Sequence, residues 1–312
     1  MDTMMALRAH TRGGPEQLVY ETAPVPVPGP GEVLVAVHAA AITFTELLWD
    51  KSWTDEQGAD RTPVIPSHEV SGVVAAQGEG VTDFAVGDEV YGLIEFTRDG
   101  GAAEYVTVPV DALAHKPRTV SHVEAAALPL AALTAWQALA DHARLTSGEK
   151  VLVHGGAGGV GVYAVQVAAS LGAQVVATDL PVHAGMVKEL GAERFIDVTT
   201  EAFDETTSGL DVVLDTVGGA TLERSFGVLR RGGRLVTLGA PPPAELADKH
   251  DVNAMFFVVR PDRPELAHIA TMVDGGLLRP VVSQTFPLAE GRNAFLSGKQ
   301  PHPPGKTILV VR

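Results

Sequence analysis

The sequence predicts an α/β protein with a β-rich first segment, a doubly wound parallel sheet in the middle and a short C-terminal segment. Valine-rich runs separated by glycine turns fill the first third of the chain, whereas apolar strands alternate with helical patterns from Val151 onward. Such alternation favours a parallel sheet with helices on both faces. We therefore predict domains over residues 1–120 and 121–258, with residues 259–312 rejoining the first domain.

The first segment has the pattern of a small, partly open β-barrel. "PGPGEVLVAVHAAAI" is a turn followed by a strand, and "VIPSHEVSGVVAAQGEGVTDFAVGDEVYGLI" contains short valine-rich runs between "GEG" and "VGDEV" turns. "AAEYVTVPVDALAHKP" adds another alternating strand. Short strands at this spacing are typical of small barrels.

The second segment begins with a helical pattern that starts at Ser121 and continues through "SHVEAAALPLAALTAWQALADHARL". Helices are then predicted from about Val160, around Met186–Leu190 and around Leu222–Leu229. The predicted strands between them are "KVLVHG", "AQVVATD", "RFIDV", "LDVVLDTVGG" and "GGRLVTLGAP". In the last segment "PELAHIATMVDGGLLRP" predicts a helix that ends at the Gly-Gly pair, and "GKTILVVR" predicts a closing strand.

Composition limits the function classes. With 23 basic and 38 acidic residues the net charge is −15, so neither nucleic acid nor an anionic membrane is an expected partner. The absence of cysteine excludes disulfides, thiolate zinc sites, iron–sulfur clusters and cysteine nucleophiles. Glycines and glutamines interrupt the uncharged run from Val151 to Thr178, which argues against a membrane span. Because the first residues do not resemble a signal peptide, we expect a cytoplasmic location.

The strongest motif joins the first strand of the second segment to its helix. "VLVHGGAGGVGVYAVQ" places Gly156, Gly158 and Gly161 in the pattern G-x-G-x-x-G. This pattern predicts a dinucleotide site, because the three glycines permit a tight turn, close approach of a pyrophosphate and close packing of helix and strand. The phosphates would lie at the helix N-terminus. The predicted binding turn also includes Ala157, Gly159 and Val160.

Asp179 closes the next predicted strand. An acid at this position accepts hydrogen bonds from the adenosine ribose hydroxyls and disfavours a 2′-phosphate, which indicates NAD(H). No arginine follows it closely, and the nearest cations are His183 and Lys188. The alternative is an exposed acid at a strand end with no role in binding.

Nine segments, from "PGPGEVLVAVHAAAI" and "PVIPSHEVSGVV" through "VLVHGGAGGVGVYAVQVAASLGA" to "GKTILVV", occur in the order of a known family. Over almost its whole length the chain resembles the zinc-independent quinone oxidoreductases of the medium-chain dehydrogenase/reductase superfamily. The resemblance implies a GroES-like catalytic domain, a Rossmann nicotinamide-binding domain and a cleft between them. It also implies hydride transfer to quinones, enones or related activated alkenes, and a homodimer. The family favours NADPH whereas Asp179 favours NADH, and the sequence leaves this choice open.

The resemblance also interprets the His–Glu pair in "VIPSHEVSGVV". Zinc-dependent relatives take a cysteine ligand and a Gly-His-Glu histidine from two segments. Here Thr43 stands at the cysteine position and Ser67-His68-Glu69 at the Gly-His-Glu position. Catalytic zinc needs three protein ligands, and only Glu46 and Glu69 lie near enough in sequence to join His68, so we expect no metal. His68 is then a packed residue or a hydrogen-bond donor.

Without a metal, quinones and conjugated enones are the favoured acceptors, because their developing charge spreads onto an oxygen that hydrogen-bond donors can stabilise. Many quinone reductases carry Asn and Asp at the positions of Thr43 and Glu46 in "ITFTEL". The resemblance thus assigns catalytic positions to these two residues, and "LTAW" places Thr134 on the nicotinamide side. His68 is also a catalytic candidate.

Further candidates lie in two groups. Trp49 and Trp53 occupy the region in which related enoyl-thioester reductases place a tyrosine proton donor, and they either form an aromatic substrate pocket or pack in the core. The segments "DTVGG", "LGAP" and "MFFVV" lie at or near strand ends, where open α/β sheets bind ligands, although "MFFVV" also fits a plain buried strand. Their cofactor candidates are Thr216, Val217, Leu238, Gly239, Ala240, Phe256 and Phe257.

Three other functions fit part of the sequence. An enoyl-thioester or biosynthetic-pathway enoyl reductase would use the same fold, although the missing tyrosine disfavours it. A non-catalytic nicotinamide-binding structural or sensor protein would keep only the glycine turn. A methyltransferase could use that turn for S-adenosylmethionine, but the barrel-like first segment disfavours it.

Overall fold

A computed structural model describes residues 3–312. Its strands are β1 Thr3–Ala9, β2 Leu18–Pro24, β3 Glu32–Ile42, β4 Glu69–Gln77, β5 Glu89–Leu93, β6 Tyr105–Pro109, β7 Leu113–His115, β8 Lys150–His154, β9 Gln174–Asp179, β10 Arg194–Asp197, β11 Leu210–Asp215, β12 Leu229–Thr237, β13 Asn253–Phe256, β14 Val282–Pro287 and β15 Lys306–Val310. Its α-helices are α1 His122–Ala126, α2 Pro129–Trp136, α3 Gly161–Ser170, α4 Ala184–Glu189, α5 Phe203–Thr206, α6 Gly219–Ser225, α7 Ala244–His250, α8 Arg263–Asp274 and α9 Gly291–Ser297.

The chain divides into two compact units. Unit 1 extends to Leu133 and resumes from Arg260 to Arg312, and unit 2 comprises Thr134–Val259. Unit 1 contains the predicted β-rich segment and the C-terminal segment, and unit 2 contains the alternating strands and helices.

The main sheet of unit 1 has the strand order β14-β15-β3-β4-β5-β7, with β6 paired to β3, and β1 and β2 form a separate antiparallel pair. In β3 the buried valines Val33, Val35 and Val37 alternate with half-buried residues, as the sequence pattern predicted. The paired strands β3 and β4 approach closely at Gly72, since a Cβ there would lie 2.2 Å from the carbonyl oxygen of Ala36. The GroES-like class is confirmed.

Unit 2 contains a six-stranded parallel sheet with the order β10-β9-β8-β11-β12-β13. The order reverses between β8 and β11, and this switch point is where doubly wound sheets bind their ligands. All five strands predicted in this segment are present, and α3 begins one residue after the predicted start at Val160. The Rossmann class is confirmed.

Two predicted helices differ from those observed. The single helical stretch after Ser121 is broken: α1 has a capping box formed by Ser121 and Glu124, Pro129 starts α2, and residues 137–142 form a π-helix. Proline fits the first turn of a helix but not its interior, so it separates α1 from α2. The helix predicted around Leu222–Leu229 instead ends at Ser225, because a 3-10 turn and then β12 follow it.

No helix within residues 3–312 is long and apolar enough to cross a membrane. The uncharged run from Val151 to Thr178 forms most of β8, the glycine turn, α3 and most of β9.

Candidate functional site

The glycine turn follows β8 and leads into α3. Gly155 has a positive φ of 70°, a conformation that side chains other than glycine disfavour. A Cβ on Gly161 would lie 1.8 Å from the carbonyl oxygen of Gly155, so the helix and the turn approach each other this closely only because residue 161 is glycine. Gly156 packs against Ala177 of β9. A Cβ added to Gly156 would lie 3.0 Å from the Cβ of Ala177. The turn therefore leads directly into the N-terminus of α3, where the motif predicts that phosphates bind.

Asp179 is tied to this turn. Its Oδ2 accepts a hydrogen bond from the backbone N–H of Ala157 over 2.8 Å. Its Oδ1 accepts one from the N–H of Leu180 and lies 2.7 Å from Nδ1 of His183. The sequence predicted only a role in ribose recognition, whereas the structure adds a role in holding the turn.

A cavity of about 350 Å³ lies at the carboxyl ends of β8 and β9, and Asp179 lines it. Its walls include the apolar side chains of Leu180, Val198 and Val217, which stay 47%, 50% and 58% exposed. Exposed apolar side chains around a cleft are typical of a ligand site, and these could enclose a flat base. Arg224 also lines the cavity, but its guanidinium pairs with Asp204.

The strand ends beside this cavity are held by internal hydrogen bonds. Buried Asp215 accepts from the N–H groups of Val217 and Gly218 and from the Thr237 hydroxyl, while Thr216 donates to the carbonyl oxygen of His154. The structure thus places the predicted cofactor residues of the "DTVGG" and "LGAP" segments at or just after the carboxyl ends of β11 and β12.

Three other candidates of unit 2 lie in different settings. Phe256 ends β13 and is half-buried, and the ring of Phe257 lies 4.6 Å from that of His142. Thr134 is buried in α2. These placements leave their predicted contacts with nicotinamide as predictions.

Unit 1 contains a polar cluster at one end of three adjacent strands, in which Lys306 and Glu69 are buried and Thr43 is half-buried. Because β3 runs antiparallel to both β15 and β4, its last residues meet the first residues of those strands. This register brings Thr43 beside Lys306 and Glu69. The Lys306 ammonium lies 2.5 Å from Glu69 Oε2 and donates to Thr43 Oγ1 over 3.2 Å. The second Glu69 oxygen accepts from the Leu130 N–H.

Glu46 is a second buried carboxyl of unit 1. Its Oε1 accepts a hydrogen bond from the backbone N–H of Ser67 over 3.1 Å. Burial raises the pKa of Glu46 from 4.5 to about 8, although the Lys306 charge and the Ser67 hydrogen bond act in the opposite direction. Glu46 is therefore protonated at neutral pH and can donate a hydrogen bond or a proton.

His68 lies beside Glu69 and is buried. Burial, with a smaller effect of the Arg61 charge, lowers the pKa of His68 to about 3. A neutral imidazole does not act as an acid near pH 7, so this placement favours packing over proton donation. Its Nδ1 and the Ser67 Oγ are buried without a hydrogen-bond partner among the described residues. Ser67 also has a φ of 73°.

The two tryptophans of unit 1 differ. Trp53 is 2% exposed in a hydrophobic core, and its indole donates to the carbonyl oxygen of Leu47, which favours packing rather than a pocket wall. Trp49 is half-buried and packs edge-on against Phe96, with 5.1 Å between the ring centroids. The Phe96 ring also packs edge-on against the His68 ring, with 5.2 Å between their centroids. The place of Trp49 in a substrate pocket stays a prediction.

The donor set does not fit a catalytic zinc. Among residues 3–312 no group of three His, Asp or Glu side chains is arranged to hold a metal ion. The carboxylate of Glu69 pairs with Lys306, and Thr43 stands at the position that the resemblance assigns to the cysteine ligand of the zinc-dependent relatives.

Sequence reasoning missed Lys306, Gly155 and the walls formed by Leu180 and Val198. The strand "GKTILVV" gave no sign that its lysine is buried, because lysine is mostly exposed in proteins. The glycine pair at 155–156 allowed either residue to make the turn.

Comparisons with known proteins agree with this architecture. Residues 29–118 match the family model of the alcohol dehydrogenase GroES-like domain, and residues 190–309 match that of the zinc-binding dehydrogenases. The mitochondrial NAD(P)H oxidoreductase RTN4IP1 of Mus musculus is 32% identical over 90% of this chain and 82% of its own length. The 2-methylene-furan-3-one reductase of Solanum lycopersicum is 35% identical over 83% of this chain and 66% of its own length.

Among solved structures, the quinone oxidoreductase from Coxiella burnetii superposes with a TM-score of 0.91 at 29% identity, covering 99% of this chain and all of that one. The glycine turn, the doubly wound sheet, the GroES-like unit and these matches lead to one conclusion: the chain belongs to the medium-chain dehydrogenase/reductase superfamily.

Proposed function

We propose that the protein is an NADH-dependent, zinc-independent reductase of quinones, enones or related activated alkenes. The main support for NADH as the cofactor is the position of Asp179, which lines the cavity of unit 2 and holds the glycine turn. A carboxylate there accepts hydrogen bonds from ribose hydroxyls and repels a 2′-phosphate. Arg224 also lines this cavity, and its guanidinium is paired with Asp204.

The names of the relatives support the acceptor class. One is called a 2-methylene-furan-3-one reductase and another a quinone oxidoreductase, and both names describe acceptors with a conjugated carbonyl group. The polar cluster of unit 1 suits this chemistry, since it offers the Thr43 hydroxyl and the protonated Glu46 as hydrogen-bond donors.

In this mechanism the glycine turn and Asp179 hold the nucleotide, with Leu180 and Val217 around the base. When bound, the reduced nicotinamide supplies the hydride. The Thr43 hydroxyl stabilises the negative charge that develops on the carbonyl oxygen, and Glu46 supplies a proton. No step uses a metal, because the donor set does not fit one.

The test is a turnover assay with purified protein, NADH or NADPH, and a panel that contains 1,4-benzoquinone, 3-penten-2-one and crotonyl-pantetheine. Oxidation of NADH by the quinone or the enone is expected. Faster turnover of the thioester would instead support the enoyl reductase alternative. Tight NADH binding without oxidation by any acceptor would support the sensor alternative. Stoichiometric zinc in the purified protein would contradict the metal-free mechanism.

Two further proposals concern assembly and location. We propose a homodimer, because β13 forms an edge of the unit 2 sheet and Val258 beside it is 52% exposed. Light scattering that gives the mass of one chain would contradict it. We also propose a cytoplasmic location, which cell fractionation tests against the mitochondrial location in the name of the mouse relative.

A further inference from the structure

Lys306 is buried although it carries an ammonium group and begins a strand of apolar residues. Burying a charge is costly unless it is paired and hydrogen-bonded. Its position opposite the end of β3 and beside the start of β4 supplies both, through the Glu69 carboxylate and the Thr43 hydroxyl. The Lys306 ammonium therefore contacts both the Glu69 carboxylate and the neutral hydroxyl of Thr43.

The direction of the hydrogen bond to Thr43 matters. An ammonium has three donors and no acceptor, so the Thr43 oxygen must be the acceptor. The hydroxyl hydrogen of Thr43 is then left to another acceptor, and the described residues provide none. A hydroxyl that accepts from a cation is also a stronger donor, because linked hydrogen bonds polarise one another.

We propose that Lys306 is a positioning residue of the reductase site: it holds and polarises the Thr43 hydroxyl so that this hydroxyl donates its hydrogen to the carbonyl oxygen of the acceptor. The inference rests on the proposed function and deepens it. Glu69 balances the Lys306 charge. The unpartnered Ser67 Oγ and His68 Nδ1 leave further polar atoms in the neighbouring segment for a bound ligand.

Reduction of an enone adds one hydride from the reduced nicotinamide and one proton. The hydride forms a C–H bond at the β-carbon, the C=C π electrons move toward the carbonyl, and the oxygen gains negative charge. The Thr43 hydrogen bond stabilises that oxygen and transfers no electrons. A proton from Glu46, which water replenishes, then bonds to the α-carbon, and the oxidised nicotinamide is the other product.

The test removes the charge pair as a unit, since Lys306→Met alone would leave Glu69 buried and unpaired. The variants are Lys306→Met/Glu69→Gln, Thr43→Val, Thr43→Ser and the triple combination of the first two. The matched control is Lys116→Met/Glu89→Gln, which removes another ion pair of a buried lysine in the same unit. Its turnover is expected to equal that of the wild type.

We expect Lys306→Met/Glu69→Gln and Thr43→Val each to lower kcat by about 100-fold, with the NADH Kd changed less than twofold. The triple variant should lose little more than either parent, because Lys306 acts through Thr43. Thr43→Ser should recover most of the activity that Thr43→Val loses. Multiplied losses in the triple variant would mean that Lys306 acts only structurally, and would overturn the proposal.

A second readout does not require turnover. The C=O stretching frequency of ¹³C-labelled 3-penten-2-one bound to the NAD⁺-loaded protein should be lower than in water, and less lowered in Thr43→Val and in Lys306→Met/Glu69→Gln. If the C=O stretching frequency is lowered as expected but no nucleotide is oxidised, the proposed function would be rejected and this inference retained. Turnover with the same stretch in all variants would reject the inference alone. No binding of the ketone by the wild type would overturn both.

Discussion

The carboxylate of Asp179 accepts a hydrogen bond from the backbone N–H of Ala157 over 2.8 Å, across 22 residues of sequence. One side chain therefore lines the cavity of unit 2 and fixes the turn that would approach a pyrophosphate. Under the proposed function, we expect nucleotide choice and nucleotide affinity to be coupled, since a change at this residue would disturb both the turn and the ribose contact.

Asp179→Asn is expected to raise the NADH Kd by about 10-fold or more, because hydrogen bonds to charged groups contribute roughly 1.5–3 kcal/mol. The NADPH Kd should rise less, since repulsion of the 2′-phosphate is also relieved. Fluorescence titration with both nucleotides measures these values. Asp211→Asn is the matched control: Asp211 also accepts from a backbone N–H, that of Lys150 at 2.8 Å, but it lies near the start of β11. Equal Kd values for the two variants would contradict the role of Asp179.

Glu46→Gln is expected to raise the Tm, and more so at higher pH. The pKa of Glu46 is raised to about 8 in the folded protein, so the folded chain keeps a proton that the unfolded chain loses above pH 4.5. The stabilising contribution of this group is thus complete below pH 4.5 and is lost as the pH rises through 8. Thermal unfolding from pH 5 to 8.5 measures the difference, with Glu79→Gln, at an exposed glutamate, as the control. A Tm gain independent of pH would contradict the raised pKa.

Ser67→Gly is expected to stabilise the protein by about 1 kcal/mol. The φ of 73° at Ser67 is unfavourable by roughly 1–2 kcal/mol for a residue with a Cβ, and the flexibility of glycine offsets part of the gain. Ser67→Ala removes the unpartnered hydroxyl but keeps the Cβ, so it should gain less. Denaturant unfolding compares the two. If alanine stabilises as much as glycine, the effect comes from the hydroxyl rather than from the backbone.

Trp53→Leu is expected to lower the free energy of unfolding by about 3 kcal/mol, because it leaves a cavity in the core and removes the hydrogen bond to Leu47. Trp49→Leu should cost about 1 kcal/mol and raise the KM for the enone, in line with its predicted place in the substrate pocket. Unfolding curves and steady-state kinetics on both variants separate the roles. An unchanged KM in Trp49→Leu would remove Trp49 from the pocket.

Much of the fold follows from local sequence patterns. The alternating valines of β3 and the apolar runs of β8, β9 and β11 predicted their strands, and the glycine motif predicted the turn before α3. The break in the helix after Ser121 was not predicted, although Pro129 is a recognised signal, because the apolar spacing continues on both sides of it.

The polar cluster of unit 1 was harder to predict. Thr43 and Glu69 were recognised through the family, but Lys306 lies 263 residues from Thr43 and meets it only through the register of β15 on β3. Single-sequence patterns carry no information on such register. The raised pKa of Glu46 and the lowered pKa of His68 could not be predicted either, because both follow from burial in the folded chain.

The most direct test of NADH-dependent reduction is the ratio of kcat/KM with NADH to kcat/KM with NADPH, measured on the wild-type protein with 3-penten-2-one and with 1,4-benzoquinone as acceptors. We expect measurable turnover and a ratio of at least about 10, since the Asp179 carboxylate near the ribose 2′-hydroxyl would disfavour the extra phosphate. A ratio below one, or no oxidation of either nucleotide, would contradict it.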